Sequence, residues 1–362
     1  MTDIIIVQNS LKTCLKFRVD YINKLISKGF SVEIIAPMDC SYSEQYFLNL
    51  GVKLKCFPQK EGFLGLLKYL LTFNAYMLKG GLKCRESIFV THFLVTFVQT
   101  LPAQLLIRSK KILSIEGLGS FFSNKPNAIK ILKALIQLSG SHLAFCNNNE
   151  RVLLGKSTDF ITGGIGINLD KYKPNKSIIK DNSKLNVIFV GRLIADKGAR
   201  DAIEVLRLSV KDNMPVKMTF IGETYKNNPS SLSDSEIKDY TNEFGDKVDF
   251  VGYSSDVNKF YNLADVLLLP SQREGFPVCV MEASAMGIPT LCYNVPGCSD
   301  AIEQGSNGFL SPLNDYQDLY SNLKMIWHAK KTGELRLSCR KYSKDNFDVS
   351  KKSSEFIDFI LS

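Results

Sequence analysis

Short apolar runs alternate along the chain with stretches whose apolar residues recur at helical spacing. Residues 4–7 read as a strand, and apolar side chains then repeat every three to four positions until Gly29, a glycine typical of a helix end. Further strands are predicted at residues 32–36, 53–57, 88–91, 112–115 and 143–146. Continuous apolar strands separated by helices predict a parallel sheet covered on both faces.

The same alternation restarts after Pro174. Residues 175–186 are polar and charged and form the predicted linker, and strands follow at 186–190, 216–221, 248–251 and 264–269. We therefore predict an α/β chain with two doubly wound Rossmann-like domains facing across a cleft. The predicted first domain is 1–170 and the second 171–345, while 346–362 form a C-terminal helix that returns to the first domain. Ligands of such sheets bind beyond the carboxyl ends of the strands.

Composition agrees with a two-domain globular protein. The chain has 362 residues, of which 45% are hydrophobic and 22% charged. The nine cysteines contain no C-x-x-C pair, and the chain opens on a strand rather than on a signal peptide. These features predict a cytoplasmic protein with free thiols.

The positive charge is concentrated in the first half. Residues 1–170 carry 20 basic and 11 acidic residues, which accounts for the whole net charge of +9. A basic half of this kind is typical of a domain that binds an anionic partner, although a mildly basic domain without such a partner has the same composition. The segment 63–79 is apolar with cationic edges and fits a bilayer surface as well as a core helix. The uncharged stretch 87–107 is too polar for a membrane span and is predicted to form a strand, a turn and a core helix.

Two motifs in the second half carry candidate chemistry. Gly191-Arg192 and Asp196-Lys197 lie where a strand ends and a helix begins, so both cations stand near N–H groups that favour phosphate. The alternative is that these residues are ordinary surface charges at a solvated helix start. The second motif places Glu274 in a loop and Glu282 on the following helix, with Gly275 and Phe276 able to turn backbone N–H groups to phosphate. The helix is predicted at Val278–Met286, and Pro277 and Val278, like Gly275 and Phe276, are assigned to substrate binding.

These motifs resemble retaining glycosyltransferase family 4 over nearly the whole chain, together with Gly287-x-Pro289, Gly297 and Asn307-Gly308. The resemblance implies a GT-B fold and a nucleotide-sugar donor, with no metal and no other cofactor. It implies that Arg192 and Lys197, with Gly191, hold the donor diphosphate. Glu274 would then contact the transferred sugar, and Glu282 the ribose. A glycosidase carboxylate pair would need no cationic pocket.

The first half resembles the family more loosely. Asn9 and Ser10 stand where the family often has a glycine-rich turn, and Glu116-Gly117 stands where it tends to have a His-Gly pair. The segment 116–121, with Arg18 and Gly222, resembles a subgroup that adds N-acetylgalactosamine to undecaprenyl-diphosphate-linked sugars. Glu116, at the mouth of the predicted cleft, is a candidate catalytic residue; the alternative is a strand-end glutamate satisfied by backbone N–H groups. Substrate-binding roles are also assigned to Asn9, Ser10, Arg18, His92, Gly117 and Tyr253.

Other classes are excluded by missing signatures. No glycine-rich dinucleotide fingerprint, Walker sequence or metal-binding Asp-x-Asp is present, and aromatic and basic residues do not interleave as nucleic-acid binding requires. The expected protein is a transferase on the inner face of the plasma membrane. It would move N-acetylgalactosamine from a UDP-sugar donor, in alpha linkage, to a lipid-linked sugar acceptor of O-antigen, capsule or glycan assembly. The alternatives are a soluble family 4 enzyme with another UDP-hexose donor and a non-catalytic nucleotide-sugar-binding subunit.

Overall fold

The computed structural model describes residues 3–58, 62–83, 86–119, 126–175, 177–178, 180–225, 228–330 and 332–362. The chain divides into two compact units. The first comprises Met1–Ile165 with Ser350–Ser362, and the second comprises Gly166–Val349. Each unit is built on one parallel sheet, which confirms the predicted α/β class and its two doubly wound sheets.

The sheet of the first unit has the strand order β3-β2-β1-β4-β5-β6-β7. Its strands are β1 (Asp3–Val7), β2 (Ser31–Pro37), β3 (Lys53–Phe57), β4 (Ile88–His92), β5 (Lys110–Ile115), β6 (His142–Phe145) and β7 (Phe160–Ile161). All neighbouring pairs are parallel, with Ile4 opposite Val32 and Ile88. Those three side chains are buried, as expected for strands covered on both faces.

Helices cover both faces of this sheet. In the described residues they are α1 (Leu11–Ser27), α2 (Ser41–Asn49), α3 (Phe63–Lys83), α4 (Leu94–Gln99), α5 (Leu101–Leu106), α6 (Pro126–Ser139) and α7 (Asn148–Leu154). Ser10 caps the start of helix α1, since its hydroxyl accepts from the Thr13 N–H at 3.0 Å. It ends before Gly29, whose φ of 85° is the left-handed conformation predicted there.

The second sheet has the order β10-β9-β8-β11-β12-β13. Its strands are β8 (Leu185–Val190), β9 (Val216–Ile221), β10 (Val248–Gly252), β11 (Val266–Leu269), β12 (Thr290–Tyr293) and β13 (Gly308–Ser311). Its helices in the described residues are α8 (Ala199–Lys211), α9 (Asp234–Phe244), α10 (Asn258–Tyr261), α11 (Val278–Ala285), α12 (Cys298–Ala301), α13 (Tyr316–Ala329) and α14 (Glu334–Asn346). A reciprocal cap between Ser233 and Glu236 fixes the start of α9.

The last helix, α15 (Val349–Leu361), packs into the first unit. Phe356, Ile357 and Ile360 belong to the same buried cluster as Ile4 and Ile6 of β1. The chain thus contributes its last residues to the core that its first strand begins.

The division between the units differs from the predicted boundaries by a few residues. Gly166 and the residues after it belong to the second unit, because Ile167 pairs with Asp348 and Arg340 donates to the carbonyls of Tyr172 and Leu169 at 2.7 and 3.1 Å. The predicted linker 175–186 therefore lies inside the second unit. The stretch 87–107 forms β4 and two short helices, α4 and α5, instead of one helix, with Pro102 in the first turn of α5.

Among the described residues, no helix is both long enough and apolar enough to cross a bilayer. The longest, α3, has 21 residues and includes polar and charged positions along its length.

We expect Ile357→Ala to destabilise the first unit by about 2–5 kcal/mol, because it removes a fully buried side chain from the core around β1. Leu361→Ala, at a position 38% exposed on the same helix, is the matched control and should change stability by less than about 1 kcal/mol. Urea unfolding gives both values, and hydrogen exchange should show lost protection in β1 and β2. Equal effects of the two substitutions would contradict this packing role for α15.

Candidate functional site

Two loops at the carboxyl ends of β8 and β11 are locked together in the second unit. A Cβ atom at Gly198 would lie 1.9 Å from the Pro270 carbonyl oxygen, and the φ of Gly198 is 73°, so only glycine fits. The Gln272 N–H donates to the Asp196 carbonyl at 2.9 Å, and Arg273 forms a 2.6 Å ion pair with the Asp196 carboxylate. The two predicted motifs therefore form one block.

This block brings Lys197 and Glu274 into contact. Lys197 Nζ donates to Glu274 Oε1 at 2.6 Å, and the two side chains are 23% and 11% exposed. Lys197 closes a short 3-10 turn, Ala195–Lys197, and α8 begins two residues later. The pair is thus held beside a helix N-terminus, as the sequence predicts.

Arg192 supplies a second positive charge at the same edge of the sheet. Its side chain is exposed, and its guanidinium carbon lies 5.5 Å from the centre of the Tyr225 ring. Gly191 precedes it, and a Cβ atom at Gly222 would lie 1.9 Å from the Gly191 carbonyl oxygen. The end of β9 therefore fixes the backbone from which Arg192 projects.

The loop after Glu274 leads directly into α11. Pro277 is the residue before the helix and Val278 is its first residue. A Cβ atom at Gly297 would lie 2.5 Å from the carbonyl oxygens of both Glu274 and Gly275, so another loop presses on this backbone. Phe276 packs with its ring centre 6.0 Å from that of Phe347. The predicted segment from Glu274 to Val278 is thereby held on both sides.

Glu282, on α11, is held by two tyrosine hydroxyls. Tyr172 donates to its Oε1 at 2.6 Å, and Tyr261 donates to its Oε2 at 2.9 Å. Burial, and then the Glu282 charge, raise the pKa of both phenols, so they stay protonated as donors. The carboxylate therefore has a fixed orientation.

The first unit holds a second cluster, at the carboxyl ends of β4 and β5. Glu116 Oε2 accepts from Arg18 of α1, while its Oε1 lies 2.9 Å from both His92 Nδ1 and Ser114 Oγ. The Tyr21 hydroxyl lies 2.9 Å from His92 Nε2. Arg18 and His92 are 3% and 1% exposed, whereas the Glu116 side chain is 14% exposed.

The protonation states in this cluster follow from its charges. Burial opposes ionisation of Glu116, but the Arg18 charge and the His92 hydrogen bond outweigh it and lower the pKa of Glu116 to about 2. Burial, and then the Arg18 charge, lower the pKa of His92 to about 4. Since a carboxylate only accepts, neutral His92 donates through Nδ1 and accepts from Tyr21 through Nε2.

Polar groups at the end of β1 lie at the same edge of this sheet. Within the described part of the chain, both amide atoms of the buried Gln8 side chain, and the Asn9 side-chain oxygen, have no hydrogen-bond partner. Ser10 Oγ instead donates to Asp39, whose carboxylate also accepts the Leu11 N–H at 3.0 Å. The N-terminus of α1 is therefore already occupied by a carboxylate of the protein itself.

The remaining predicted site residues, Gly117 and Tyr253, belong to neither of these clusters. Gly117 follows Glu116 with a φ of 109°, which favours glycine there. Tyr253 follows the edge strand β10 and is 66% exposed. Ser120 and Phe121 of the 116–121 segment, and Arg85, lie outside the described residues.

The sequence reasoning missed several residues of these clusters. Tyr21, Tyr172 and Tyr261 orient His92 and Glu282, yet they lie 71, 110 and 21 positions from those residues, and no sequence pattern links them. Glu150, on α7, is 3% exposed, and burial raises its pKa to about 7. Its position three residues after Asn147, which caps α7, was the available signal.

Residues 171–346 match the family model described as glycosyl transferases group 1. A relative over nearly the full length is N,N'-diacetylbacillosaminyl-diphospho-undecaprenol alpha-1,3-N-acetylgalactosaminyltransferase of Campylobacter jejuni, 25% identical over 90% of this chain and 88% of that protein. The capsular polysaccharide biosynthesis glycosyltransferase CapM of Staphylococcus aureus is 26% identical over 44% of this chain; the match spans 43% of that relative.

The fold has close counterparts among solved structures. Alr3699/HepE of Anabaena, solved in complex with UDP, superposes with a TM-score of 0.79 at 16% identity, over the whole of both chains. This likeness confirms the predicted GT-B fold. The match of residues 171–346 to the group 1 model, with relatives named as glycosyltransferases, supports the prediction that the chain is a transferase enzyme.

Proposed function

We propose that the chain is a retaining glycosyltransferase that moves N-acetylgalactosamine from UDP-N-acetylgalactosamine, in alpha linkage, to an undecaprenyl-diphosphate-linked sugar. The observation that carries the proposal is the Lys197–Glu274 pair at the carboxyl edge of the second sheet, the edge at which Arg192 also lies. The near full-length relative named as an N-acetylgalactosaminyltransferase supports the choice of donor sugar and acceptor.

The donor would bind the second unit. Arg192 and Lys197 would neutralise its diphosphate, so the proposed reaction uses no metal ion and no other cofactor. Glu274 would accept a hydroxyl of the sugar. Glu282, oriented by Tyr172 and Tyr261, would accept the ribose hydroxyls. A fixed carboxylate suits this role because it need not be ordered when the nucleotide binds.

Retention in this proposal needs no protein nucleophile. The acceptor oxygen forms a bond to the anomeric carbon on the face from which UDP leaves, as the bond from that carbon to the phosphate oxygen breaks. The acceptor proton passes to the departing phosphate oxygen. The two cations stabilise the negative charge that develops on the diphosphate.

We expect Arg192→Ala to lower transfer by at least about 100-fold without unfolding the protein, because it removes an exposed cation from the proposed diphosphate site. Arg207→Ala is the matched control, since Arg207 pairs with Glu204 and Glu243 on α8 and α9, away from the loops. Product mass and linkage, measured over a panel of UDP-sugars with lipid-linked and free acceptors, read out both rate and specificity. Near wild-type turnover by Arg192→Ala would contradict the assignment, and a preference for another UDP-hexose or a free acceptor would favour the soluble-enzyme alternative.

The acceptor sugar would bind at the Glu116 cluster of the first unit. Glu116 is the least buried member of this network, so it is the group that a substrate would reach first. Arg18 and His92 hold its two oxygens in place.

We expect Glu116→Gln to lower kcat/KM for the acceptor at least about tenfold while leaving UDP affinity unchanged. A pKa of about 2 keeps Glu116 ionised, and a pKa of about 4 keeps His92 neutral, throughout the range from pH 6 to 8. The loss should therefore be the same at both pH values. Folding lowers both pKa values, so ionised Glu116 and neutral His92 stabilise the folded state at neutral pH. This stabilisation is lost on acidification, and for His92 the loss begins as the pH falls below 6.5.

Glu33→Gln is the control for this substitution, since Glu33 also accepts a hydrogen bond in the first unit, from Tyr76 at 2.6 Å. An equal loss of UDP affinity in Glu116→Gln would place this residue at the donor instead of the acceptor. A loss that disappears between pH 6 and 8 would contradict the assigned charge states.

We also propose that the first unit binds the inner face of the plasma membrane through one face of α3. Leu64, Leu67 and Leu71, at helical spacing, are 78%, 43% and 63% exposed, with the exposed Lys68 beside them. Leu106 of α5, which packs on α3, is 65% exposed. An apolar face with cationic neighbours suits an anionic bilayer, and the net positive charge of residues 1–170 supports this partner.

We expect the double variant Leu64→Ser with Leu71→Ser to weaken binding to phosphatidylglycerol vesicles at least about tenfold in a sedimentation assay, because two exposed leucines no longer enter the interface. Leu313→Ser with Leu337→Ser, at positions 48% and 75% exposed in the second unit, is the matched control. If the wild-type protein does not sediment with these vesicles, or if both double variants behave alike, the α3 face is not the membrane contact.

A further inference from the structure

A cluster of positive charges lies at the opposite edge of the second sheet, where β11 begins. Asp265, the residue before β11, is 5% exposed. Its carboxylate lies 2.9 Å from Lys330 Nζ and 3.7 Å from both Lys180 Nζ and Arg336 NH1. One buried carboxylate therefore faces three cations, from three separate segments of the chain.

These cations are not neutralised by other acidic groups of the described chain. Asp265 is the one carboxylate within 4 Å of any of them among the described residues. Lys180 also donates to the Ala264 carbonyl, and Lys330 donates to the Lys184 carbonyl at 2.7 Å. Carbonyl oxygens solvate an ammonium group but do not cancel its charge, so the cluster keeps an excess of about two positive charges.

A cavity opens beside this cluster. It has a volume of about 230 Å³, and a smaller cavity of about 20 Å³ shares Arg336 with it. The lining of the larger cavity includes Lys180, Arg336, Asn175, Asn262, Tyr261 and Met286. The volume is below the roughly 300–1,000 Å³ of pockets for drug-sized ligands but well above the roughly 30 Å³ share of one water. A small anion with a short substituent fits this space.

Two of the cations near the cavity are largely buried: Lys180 lines the larger cavity and Lys330 lines the smaller one. The Lys180 and Lys330 side chains are 14% and 12% exposed, so both ammonium groups are largely removed from water. Burial, and then the neighbouring Arg336 charge, lower the pKa of Lys180 to about 8. A bound anion would relieve this repulsion, and a phosphate ester, at about −1.5 to −2 near pH 7, matches the excess charge.

We propose that this cavity is a binding site for a phosphate-bearing small molecule, held by Lys180 and Arg336. The site is separate from the loops that hold Lys197 and Glu274, because it lies at the strand starts instead of the strand ends. Tyr261 separates the two regions. It lines the cavity, and its hydroxyl donates a hydrogen bond to Glu282. The proposal concerns binding alone and does not depend on the transferase activity.

The test is isothermal titration of the full-length protein with inorganic phosphate at constant ionic strength, with chloride as the reference anion. We expect saturable binding of one phosphate at the cavity that Arg336→Gln weakens at least about tenfold. Arg336 is 37% exposed, so its substitution should leave the fold intact, which circular dichroism checks. Lys180→Gln is a second variant that should weaken binding in the same way.

Two controls separate this site from other basic surfaces. Lys324→Gln removes a surface lysine of α13 that pairs with Asp212, and the double variant Arg192→Ala with Lys197→Ala removes the cations of the proposed donor site. Both should retain binding at the cavity. No saturable phosphate binding by the wild-type protein would overturn the proposal, and so would binding that survives in Arg336→Gln but is lost in the double variant.

Two further ligands distinguish whether the phosphate group belongs to a soluble ester or to a lipid headgroup. Glycerol 3-phosphate tests a soluble ester, and phosphatidylglycerol vesicles test a lipid headgroup. Tighter binding of the ester than of phosphate would identify a metabolite as the ligand class. Binding to vesicles that Arg336→Gln weakens would identify a headgroup, whereas vesicle binding without any phosphate binding would count against the cavity.

Discussion

The close contact between Gly198 and the Pro270 carbonyl is the constraint on which the proposed donor site depends. It joins the loop after β8 to the loop after β11 at a distance that no side chain permits. Asp196 then ties the same loops through its carbonyl, which accepts from Gln272 and Ser271, and through its carboxylate, which pairs with Arg273. Lys197 and Glu274 are neighbours because their backbones are fixed in this way, 77 positions apart in sequence.

The Glu116 cluster of the first unit follows a different logic. Its carboxylate is positioned by charged and neutral partners from three segments, and removing those groups from water is costly unless every one is paired. Pairing is incomplete, because Arg18 Nε and the neighbouring Gln8 amide have no hydrogen-bond partner among the residues that the structure describes. Proteins tend to break the rule of full pairing at functional sites, so this edge of the sheet is where a polar ligand is expected.

The amino-acid sequence allows most of the fold and part of the candidate site to be predicted. Apolar strands such as β1 and β11 are evident although they have only five and four residues, whereas β7 has two residues, and β12 and β13 have four each with a threonine or glycine at the start. A short strand without a continuous apolar run carries too little pattern to separate it from a loop. In the site, Arg192, Lys197 and Glu274 lie in recognisable motifs. Tyr172 and Tyr261 lie 110 and 21 positions from Glu282, and only the folded chain brings them to it.

The ion pair between Lys197 and Glu274 raises a question about how one lysine can hold both a carboxylate and a diphosphate. An ammonium group has three donors, and Glu274 Oε1 uses one of them. With 23% of its side chain exposed, Lys197 retains room for a phosphate oxygen on its open side. The carboxylate also prevents the cation from swinging into solvent, which lowers the entropy lost when a diphosphate binds. Glu274 would in this way serve the diphosphate through Lys197 and the sugar through its second oxygen, so the two functions of the site are coupled in a single pair of residues.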